Sequence, residues 1–146
     1  MKKTLYLWTS KGKKSYEYEK LDDLKTEFES RNISIGDCAT IGDKATIGSG
    51  VAIGDGTNIG DNTTIGDNVT IGYDTDIESH VTVRDAVTIG NAVIIGDEVT
   101  IDSGVSIGDT VTIQESTTIG HGTSIGHGVD IDNKSHSSIS YAPINF

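Results

Sequence analysis

The sequence predicts an all-β fold in which short parallel strands wind into a solenoid, a parallel β-helix. Three observations predict it. Isoleucine recurs every six residues, a small or β-branched residue stands two positions before each isoleucine, and Gly-Asp often follows it. The isoleucine register, whose positions we call anchors, runs from Ile35 to Ile131 without an insertion, and Val83 fills its one gap.

The six-residue period excludes a helix, because side chains on one helical face recur about every 3.6 residues. In a strand, residues two apart share a face. Each repeat therefore predicts a strand that points in, out and in, followed by a turn of about three residues. Three repeats close one coil, and the register predicts about six coils that span roughly 27 Å at the spacing of paired strands.

The turns have their own pattern. The third position after the anchor is often glycine or asparagine, as at Gly50, Gly56, Asn62 and Asn68. These residues tolerate a positive φ, which we predict for this position. The aspartate that often precedes it is expected to accept a hydrogen bond from the local backbone.

The flanking segments predict covers for the two open ends of the solenoid, whose unpaired strand edges would otherwise invite aggregation. We therefore divide the chain into three regions. The sequence predicts an N-terminal cap of two strands and a short helix over residues 1–32, the solenoid over residues 33–132, and a C-terminal cap or tail over residues 133–146. The helix of the cap presents one apolar face, formed by Leu21, Leu24 and Phe28.

Charge is unevenly distributed along the chain, whose net charge is −11. Residues 1–31 hold eight basic and six acidic side chains, which gives +2, whereas the remainder holds three basic and sixteen acidic ones, which gives −13. A solenoid with this much negative charge repels nucleic acid and anionic membranes, so we expect neither as a partner. No apolar run reaches the length of a signal or membrane-spanning segment, and Cys38 is the only cysteine, which favours the cytoplasm.

The run from Ile35 to Ile131 resembles the hexapeptide repeat of the trimeric, left-handed β-helix superfamily. This superfamily includes acyl-CoA-dependent acetyl- and acyltransferases and the γ-class carbonic anhydrases. The resemblance covers about two thirds of the chain. It implies a left-handed coil, against the usual right-handed crossover rule, and a homotrimer. It says less about activity, because the repeats that match are structural.

Four histidines are candidates for the general base that the resembling acyltransferases use on an acceptor hydroxyl or amine: His80, His121, His127 and His136. His80 is the first choice for a catalytic residue, because it lies in Glu78-Ser79-His80, where the Ile-Gly pattern lapses. His121 is the second choice. A solvated turn residue is the simpler interpretation of each, and no loop leaves the coils to form a lid over a substrate.

Cofactor binding is the main objection to an acyltransferase. Coenzyme A is a polyanion, and the acidic coils offer it little beyond Lys134, our candidate phosphate contact. A zinc site like that of the γ-carbonic anhydrases would need histidines from different subunits, and we assign no metal ligand. The aspartates stacked at the corners leave weak calcium binding open.

Threonine occupies the outward position on one side of every coil: Thr46, Thr64, Thr82, Thr100 and Thr118. We interpret this column of threonines as a solvated sheet surface whose residues were chosen for their β-propensity. A trimer-packing face and an ordered-water surface are the alternatives.

The sequence therefore predicts a hexapeptide-repeat β-helix whose expected role is that of a non-catalytic structural or assembly module. A small acyl-CoA-dependent acetyl- or acyltransferase is the alternative, and a γ-carbonic-anhydrase-like metal enzyme is a remote one.

Overall fold

The computed structural model describes residues 2–9 and 11–132. Two longer strands come first, β1 (Lys3–Thr9) and β2 (Gly12–Tyr18), followed by a 3-10 helix (Leu21–Leu24) and a helix α1 (Lys25–Ser30). Seventeen short strands then recur every six residues. They are β3 (Ser34–Ile35), β4 (Thr40–Ile41), β5 (Ala45–Ile47), β6 (Ala52–Ile53), β7 (Asn58–Ile59), β8 (Thr64–Ile65), β9 (Thr70–Ile71), β10 (Asp76–Ile77), β11 (Thr82–Val83), β12 (Thr88–Ile89), β13 (Ile94–Ile95), β14 (Thr100–Ile101), β15 (Ser106–Ile107), β16 (Thr112–Ile113), β17 (Thr118–Ile119), β18 (Ser124–Ile125) and β19 (Asp130–Ile131).

Every third short strand joins the same sheet, so the solenoid has three sides. Sheet B runs β3-β6-β9-β12-β15-β18, sheet C runs β4-β7-β10-β13-β16-β19, and sheet A runs β2-β1-β5-β8-β11-β14-β17. Coil 1 comprises β3–β5, coil 2 β6–β8, coil 3 β9–β11, coil 4 β12–β14 and coil 5 β15–β17, and coil 6 comprises β18 and β19. The predicted fold class, a left-handed parallel β-helix with a small hairpin and helix cap, is confirmed.

The interior is a set of stacked aliphatic ladders. Every anchor from Ile41 to Ile131 is at most 4% exposed, and the residue two before it is inward as well. Five of these second inward positions are threonines, and all five are buried: Thr57, Thr63, Thr75, Thr117 and Thr123. Their hydroxyls donate to corner carbonyls, as Thr57 does to Gly72 at 2.7 Å, so polar atoms enter the core without losing a hydrogen bond.

The third corner residue has a positive φ in every turn from Cys38 to Gly128, as the Gly/Asn pattern predicts. The rule is broader than the pattern, because it also holds for residues that do not favour this region, such as Lys44 (61°), Ala86 (59°) and Thr110 (60°). The turn geometry is therefore imposed by the closing of the coil, and the residue type follows it only in part.

The corner aspartates act differently from the expectation of a local hydrogen bond. The Asp55 Oδ1 accepts the backbone N–H of Asp37, eighteen residues earlier, at 2.8 Å. Asp61 does the same for Asp43 at 2.7 Å and Asp67 for Ser49 at 2.9 Å. Each such side chain reaches back to the preceding coil and accepts a hydrogen bond from a corner N–H that the pairing of the sheets does not use. We call this contact a corner cap.

Glycine after the anchor leaves room for this cap. A Cβ on Gly36 would clash with the Asp55 Oδ1, and a Cβ on Gly42 would clash with the Asp61 Oδ1. The Ile-Gly-Asp pattern is therefore one packing unit: the glycine of one coil admits the aspartate of the next.

The N-terminal cap extends sheet A beyond the first coil, in the place that a strand of a preceding coil would occupy. Strand β1 pairs in parallel with β5, Leu5 opposite Ala45 and Leu7 opposite Ile47, and both leucines are fully buried. Asp43 extends the corner cap to β1, because its Oδ1 accepts the N–H of Thr4 at 2.8 Å. Strand β2 begins at Gly12 and covers the outer edge of β1.

The helix predicted to carry Leu21, Leu24 and Phe28 is a 3-10 helix followed by one short α-helix, and it ends at Ser30. Leu24 and Phe28 are buried against the first coil, as their spacing predicts, while Leu21 is only partly buried. Arg31 donates a 2.7 Å hydrogen bond to the Glu27 carboxylate, and this bond lowers the pKa of Glu27. The C-terminal cap predicted for 133–146 lies outside the described residues.

Tyr18 gives this cap a pH-dependent contribution to stability. Its buried hydroxyl donates to the Ile41 carbonyl at 2.8 Å, and burial, then the charges of Asp43 and Asp61, raise its pKa to about 12. An unfolded tyrosine titrates near pH 10, so between pH 10 and 12 only the unfolded chain loses this proton, and stability falls. We expect this group to cost about 1–3 kcal/mol over that window.

The measurement is urea unfolding at pH 8 and pH 11 for the wild type and Tyr18→Phe. All other ionisable groups are the same in both proteins, so only the difference between the two reports on Tyr18. The phenylalanine variant should be the less stable at pH 8 and should lose less stability on going to pH 11. An identical pH dependence would contradict the assignment.

Candidate functional site

The three described histidines lie on three different long edges of the prism. His80 lies at the corner between sheets C and A in coil 3, His121 at the corner after sheet A in coil 5, and His127 at the corner after sheet B in coil 6. All three are exposed. The fold therefore does not bring His80 and His121, our two catalytic candidates, together within one chain.

His127 has a structural contact. Its Nδ1 accepts the backbone N–H of Asp109 at 3.0 Å, so the histidine forms a corner cap where aspartate is usual. His121 occupies the same position in its repeat, but Asp102 accepts the Ser103 N–H at 2.9 Å in its place. The ring of His121 lies instead above Gly104, with Cε1 3.7 Å from where a Cβ would be.

The pattern break noted in the sequence becomes two rows of side chains on neighbouring sides of coil 3. The acidic row consists of Asp76 on β10 of sheet C together with Asp74 and Glu78 at the corners on either side of it. The basic row consists of Thr82 on β11 of sheet A together with His80 and Arg84 at the corners on either side of it, so Glu78 and His80 share the corner between the two sheets. Thr82 is partly buried and the other five are exposed. These residues are consecutive alternate positions of one segment, 74–84, which turns the corner between the two sheets.

Arg84 is the one lysine or arginine between residues 45 and 132. Its Nε lies 3.4 Å from the Asp102 Oδ1 of the next coil, and both side chains stay open to solvent, at 57% and 42% exposure. A pair so exposed contributes little to stability. Arg84 therefore keeps most of its guanidinium donors available for another anion.

A groove of about 750 Å³ lies at the N-terminal end of the solenoid, on a different surface from the histidines. One wall carries Leu21, Lys25 and Phe28 of the cap, and the other carries the first residues of coil 1, including Ile35 and the exposed Cys38. No sequence pattern predicts this groove, because it arises where sheet A alone receives a covering strand.

Two candidate positions, Lys134 for a phosphate contact and His136 for a general base, lie outside the described residues. Across 2–9 and 11–132, no group of three or more His, Cys, Asp or Glu side chains is arranged to hold a metal ion. Within the same ranges, no helix is long and apolar enough to span a bilayer.

Fold and surface together define the class of this protein: a hexapeptide-repeat parallel β-helix. Residues 32–66 match the family model described as bacterial transferase hexapeptide (six repeats). The predicted resemblance to the hexapeptide-repeat superfamily is thereby confirmed. No curated protein sequence matches the chain.

Solved structures similar to this chain include three bacterial proteins. UDP-N-acetylglucosamine acyltransferase of Francisella novicida is 19% identical with a TM-score of 0.46, covering 73% of this chain and 51% of its own. A mutant of perosamine N-acetyltransferase from Caulobacter crescentus, in complex with CoA and GDP-perosamine, is 14% identical with a TM-score of 0.48, covering 78% and 61%. A hexapeptide transferase family protein of Anaplasma phagocytophilum is 19% identical with a TM-score of 0.48, covering 68% and 69%. The chain thus spans about half to two thirds of the length of these proteins.

Proposed function

We propose that this protein is a non-catalytic structural or assembly module of the acyltransferase-like superfamily, working as a homotrimer in the cytoplasm. The observation that carries the proposal is the even spacing of the seventeen short strands, whose last residues fall every six positions from Ile35 to Ile131. No segment leaves the coils in this stretch to enclose a substrate, whereas most corners are committed to holding coil against coil. The trimer follows from the superfamily resemblance, and the lone cysteine favours a reducing compartment.

The electrostatics of the surface support the same proposal. Between residues 45 and 132 the coils present Arg84 as their one permanent cation, and it already faces Asp102. The phosphates of an acyl-CoA would meet carboxylates on most of this surface, which weakens binding. A rigid acidic prism is well suited to spacing or presenting other groups, since a net charge far from zero also keeps it soluble.

Titration with acetyl-CoA tests the proposal. We expect no heat of binding in calorimetry and no change of melting temperature at millimolar acetyl-CoA, because Lys44 and Arg84 are the only lysine or arginine residues of the described coils, and acidic side chains outnumber them. A bound ligand at a hundred times its Kd would stabilise the fold by about 2.7 kcal/mol, which a melting curve resolves. Saturable binding would overturn the proposal, and zinc and calcium titrations run beside it test the metal alternatives.

An acyltransferase is the second candidate, and the position of His80 favours it. The histidine is exposed on the same surface as Arg84, so in a trimer a general base and a cation would lie in one row beside a neighbouring subunit. In this mechanism His80 takes the proton from the acceptor, His121 is the reserve base, and Lys134 contacts phosphate. Release of free coenzyme A thiol in the presence of amine acceptors, lost in His80→Asn, would establish it.

A further inference from the structure

The N-terminal end of the solenoid leaves two of its three sheets without a covering strand among the described residues. Sheet A continues past the first coil into β1 and β2, whereas sheet B ends at β3 and sheet C ends at β4. Both of these edges, and the corner between them, line the groove of about 750 Å³ beside the cap. The groove therefore exposes backbone groups of the kind that each later coil uses to bind its neighbour.

The backbone groups on the open edge of β3 follow from its pairing with β6. The N–H groups of Ser34 and Gly36 donate to carbonyls of coil 2 at 2.9 and 2.7 Å, so these alternate residues face coil 2. The residues between and before them face the groove. This leaves the Ile33 carbonyl and both the N–H and the carbonyl of Ile35 without a strand partner in the part of the chain that the structure describes. The edge thus presents an acceptor, a donor and an acceptor in a row.

The open edge of β4, in contrast, is already occupied by the cap. The Ile41 carbonyl accepts hydrogen bonds from the Tyr18 hydroxyl at 2.8 Å and from the Lys3 Nζ at 3.3 Å. Side chains of the cap thus take the place of the strand that sheet C lacks. A ligand that binds free backbone groups is therefore directed to β3.

The apolar interior also ends open at β3. Ile35 is the first anchor and is only partly buried, whereas every later anchor is at most 4% exposed. Ala39 of the first coil and Leu21 of the cap line the same groove and are partly buried as well. An aliphatic side chain placed on Ile35 would extend the ladder of sheet B by one residue and remove this apolar surface from water.

Asp37 adds a charged acceptor at the end of the same edge. Later corner aspartates cap the coil before them, as Asp55 caps the N–H of Asp37 at 2.8 Å. Asp43 shows that an added strand can receive this contact, because its Oδ1 accepts the N–H of Thr4 in β1 at 2.8 Å. Asp37 is exposed, and within residues 2–9 and 11–132 no earlier corner supplies an amide for it to cap.

We infer that the groove binds an extended segment of a partner protein as an added strand, parallel to β3. The first residue of the segment donates to the Ile33 carbonyl and accepts from the Ile35 N–H. The second directs an aliphatic side chain onto Ile35, and the third donates to the Ile35 carbonyl. The fourth donates to the Asp37 carboxylate as in a corner cap. This inference rests on the proposed assembly function and names the chemistry of its partner.

The charges of the edge favour a peptide as the occupant. Carbonyl and N–H groups alternate along β3, and an extended backbone carries the complementary alternation at the same spacing. The groove is lined by three lysines and four carboxylates, so its charges nearly cancel and a highly charged ligand gains little. The parallel pairing of β1 with β5 shows that this end of the solenoid accepts a strand from outside the repeat.

Cys38 makes the alignment testable. It is exposed, lines the groove, and is the only cysteine of the chain. In a parallel strand, the third residue after the aliphatic one lies over Cys38 at about the 4.8 Å spacing of paired strands. Two Cα atoms joined by a disulfide are about 4.4–6.8 Å apart, so a cysteine at that position of a bound peptide can pair with Cys38.

The probe is the peptide acetyl-Ser-Val-Thr-Ile-Gly-Ser-Cys-amide, supplied as its disulfide with 2-mercaptoethanol. The Cys38 thiolate attacks the cysteine sulfur of the peptide and releases 2-mercaptoethanol as its thiolate, so one disulfide replaces another without net oxidation. Intact-mass spectrometry of the full chain measures the equilibrium constant of this exchange. The comparison peptide, acetyl-Cys-Ser-Val-Thr-Ile-Gly-Ser-amide, carries its thiol at the opposite end.

We expect the exchange constant of the probe to be at least about tenfold larger than that of the comparison peptide, because only the probe brings its thiol to Cys38 while paired with β3. N-methylation of the threonine and the glycine removes both donors to β3 and should abolish this preference. N-methylation of the isoleucine, whose N–H points away from β3, should retain it. In urea, where the groove is lost, the two peptides should exchange equally.

Substitutions in the protein test the same contact from the other side. Asp37→Ala should lower the exchange constant of the probe at least about threefold, because it removes one hydrogen bond to a charged group. Asp37→Asn should restore it, since an asparagine can form a corner cap, as Asn91 does with the N–H of Tyr73. Asp74→Ala, at an exposed corner outside the groove, is the matched control and should have no effect. Circular dichroism checks that each variant keeps the β-helix.

Equal exchange of the two peptides with the folded protein would overturn the inference, because the disulfide would then be adventitious. A preference that survives N-methylation of the threonine and the glycine would overturn it too. A preference that disappears as the protein concentration rises would assign the groove to a second copy instead of a partner protein. Binding of acetyl-CoA, in contrast, would contradict the proposed function and leave the peptide preference intact, so the two failures are distinguishable.

Discussion

Replacing Ile95 by alanine is expected to lower the free energy of unfolding by about 2–5 kcal/mol, the cost typical of deleting a fully buried aliphatic side chain. Ile95 is the anchor of β13, is 0% exposed, and stacks between Ile77 and Ile113 in the ladder of sheet C. The backbone of a narrow prism is held by strands on three sides, so it cannot collapse into the cavity. Urea unfolding followed by circular dichroism measures the loss.

The chain supplies its own control in the adjacent residue. Ile94 has the same side chain in the same strand, but it points outward and is 47% exposed. Ile94→Ala should change stability by no more than about 0.5 kcal/mol. Equal effects of the two substitutions would mean that the in-out alternation of the strands is wrong.

Gly54→Ala is expected to destabilise the fold by about 1–3 kcal/mol, as overpacking does. A Cβ at this position would lie 2.6 Å from the carbonyl carbon of Gly72 and 2.6 Å from the Tyr73 nitrogen. Both are backbone atoms of the next coil, so no side chain can rotate away, and the spacing between coils 2 and 3 must increase locally. The shift in the urea midpoint at constant m-value reports this cost.

Gly108 occupies the equivalent corner three coils later and provides the comparison. The nearest atoms to its added Cβ lie 3.0 Å away, in Gly126 and His127, so a small adjustment suffices. Gly108→Ala should therefore cost clearly less than Gly54→Ala. A larger effect at Gly108 would show that the distance between coils does not control the choice of glycine after the anchor.

The sequence was sufficient for the solenoid because its period repeats a single physical rule many times. The anchors, the inward partners and the positive φ of the corners all follow from strand alternation and turn geometry, and each is predictable from residues such as Ile95 and Asn62. The corner cap is not, since the partner of Asp61 is eighteen residues away and only the winding of the coil brings it near. The same reason hid the pairing of β1 with β5, whose residues are about forty positions apart.

The candidate site was predicted less completely. The lapse at Glu78-Ser79-His80 and at Arg84-Asp85 is visible in the sequence, and it locates coil 3 as the irregular coil. That its charges sort by sign onto two sides is a property of the corner between β10 and β11. The role of His127 as a corner cap emerges only from the three-dimensional fold, because its partner, the N–H of Asp109, lies eighteen residues earlier in the chain.

The corner caps give the solenoid a direction. In each, the acceptor belongs to the later coil and the amide to the earlier one, as with Asp55 and Asp37 or His127 and Asp109. A newly synthesised coil therefore lacks the protein acceptors of its corner amides until the next eighteen residues emerge. Synthesis from the amino terminus delivers the acceptors in the order in which they are needed, so each newly formed coil completes the corner hydrogen bonds of the coil before it.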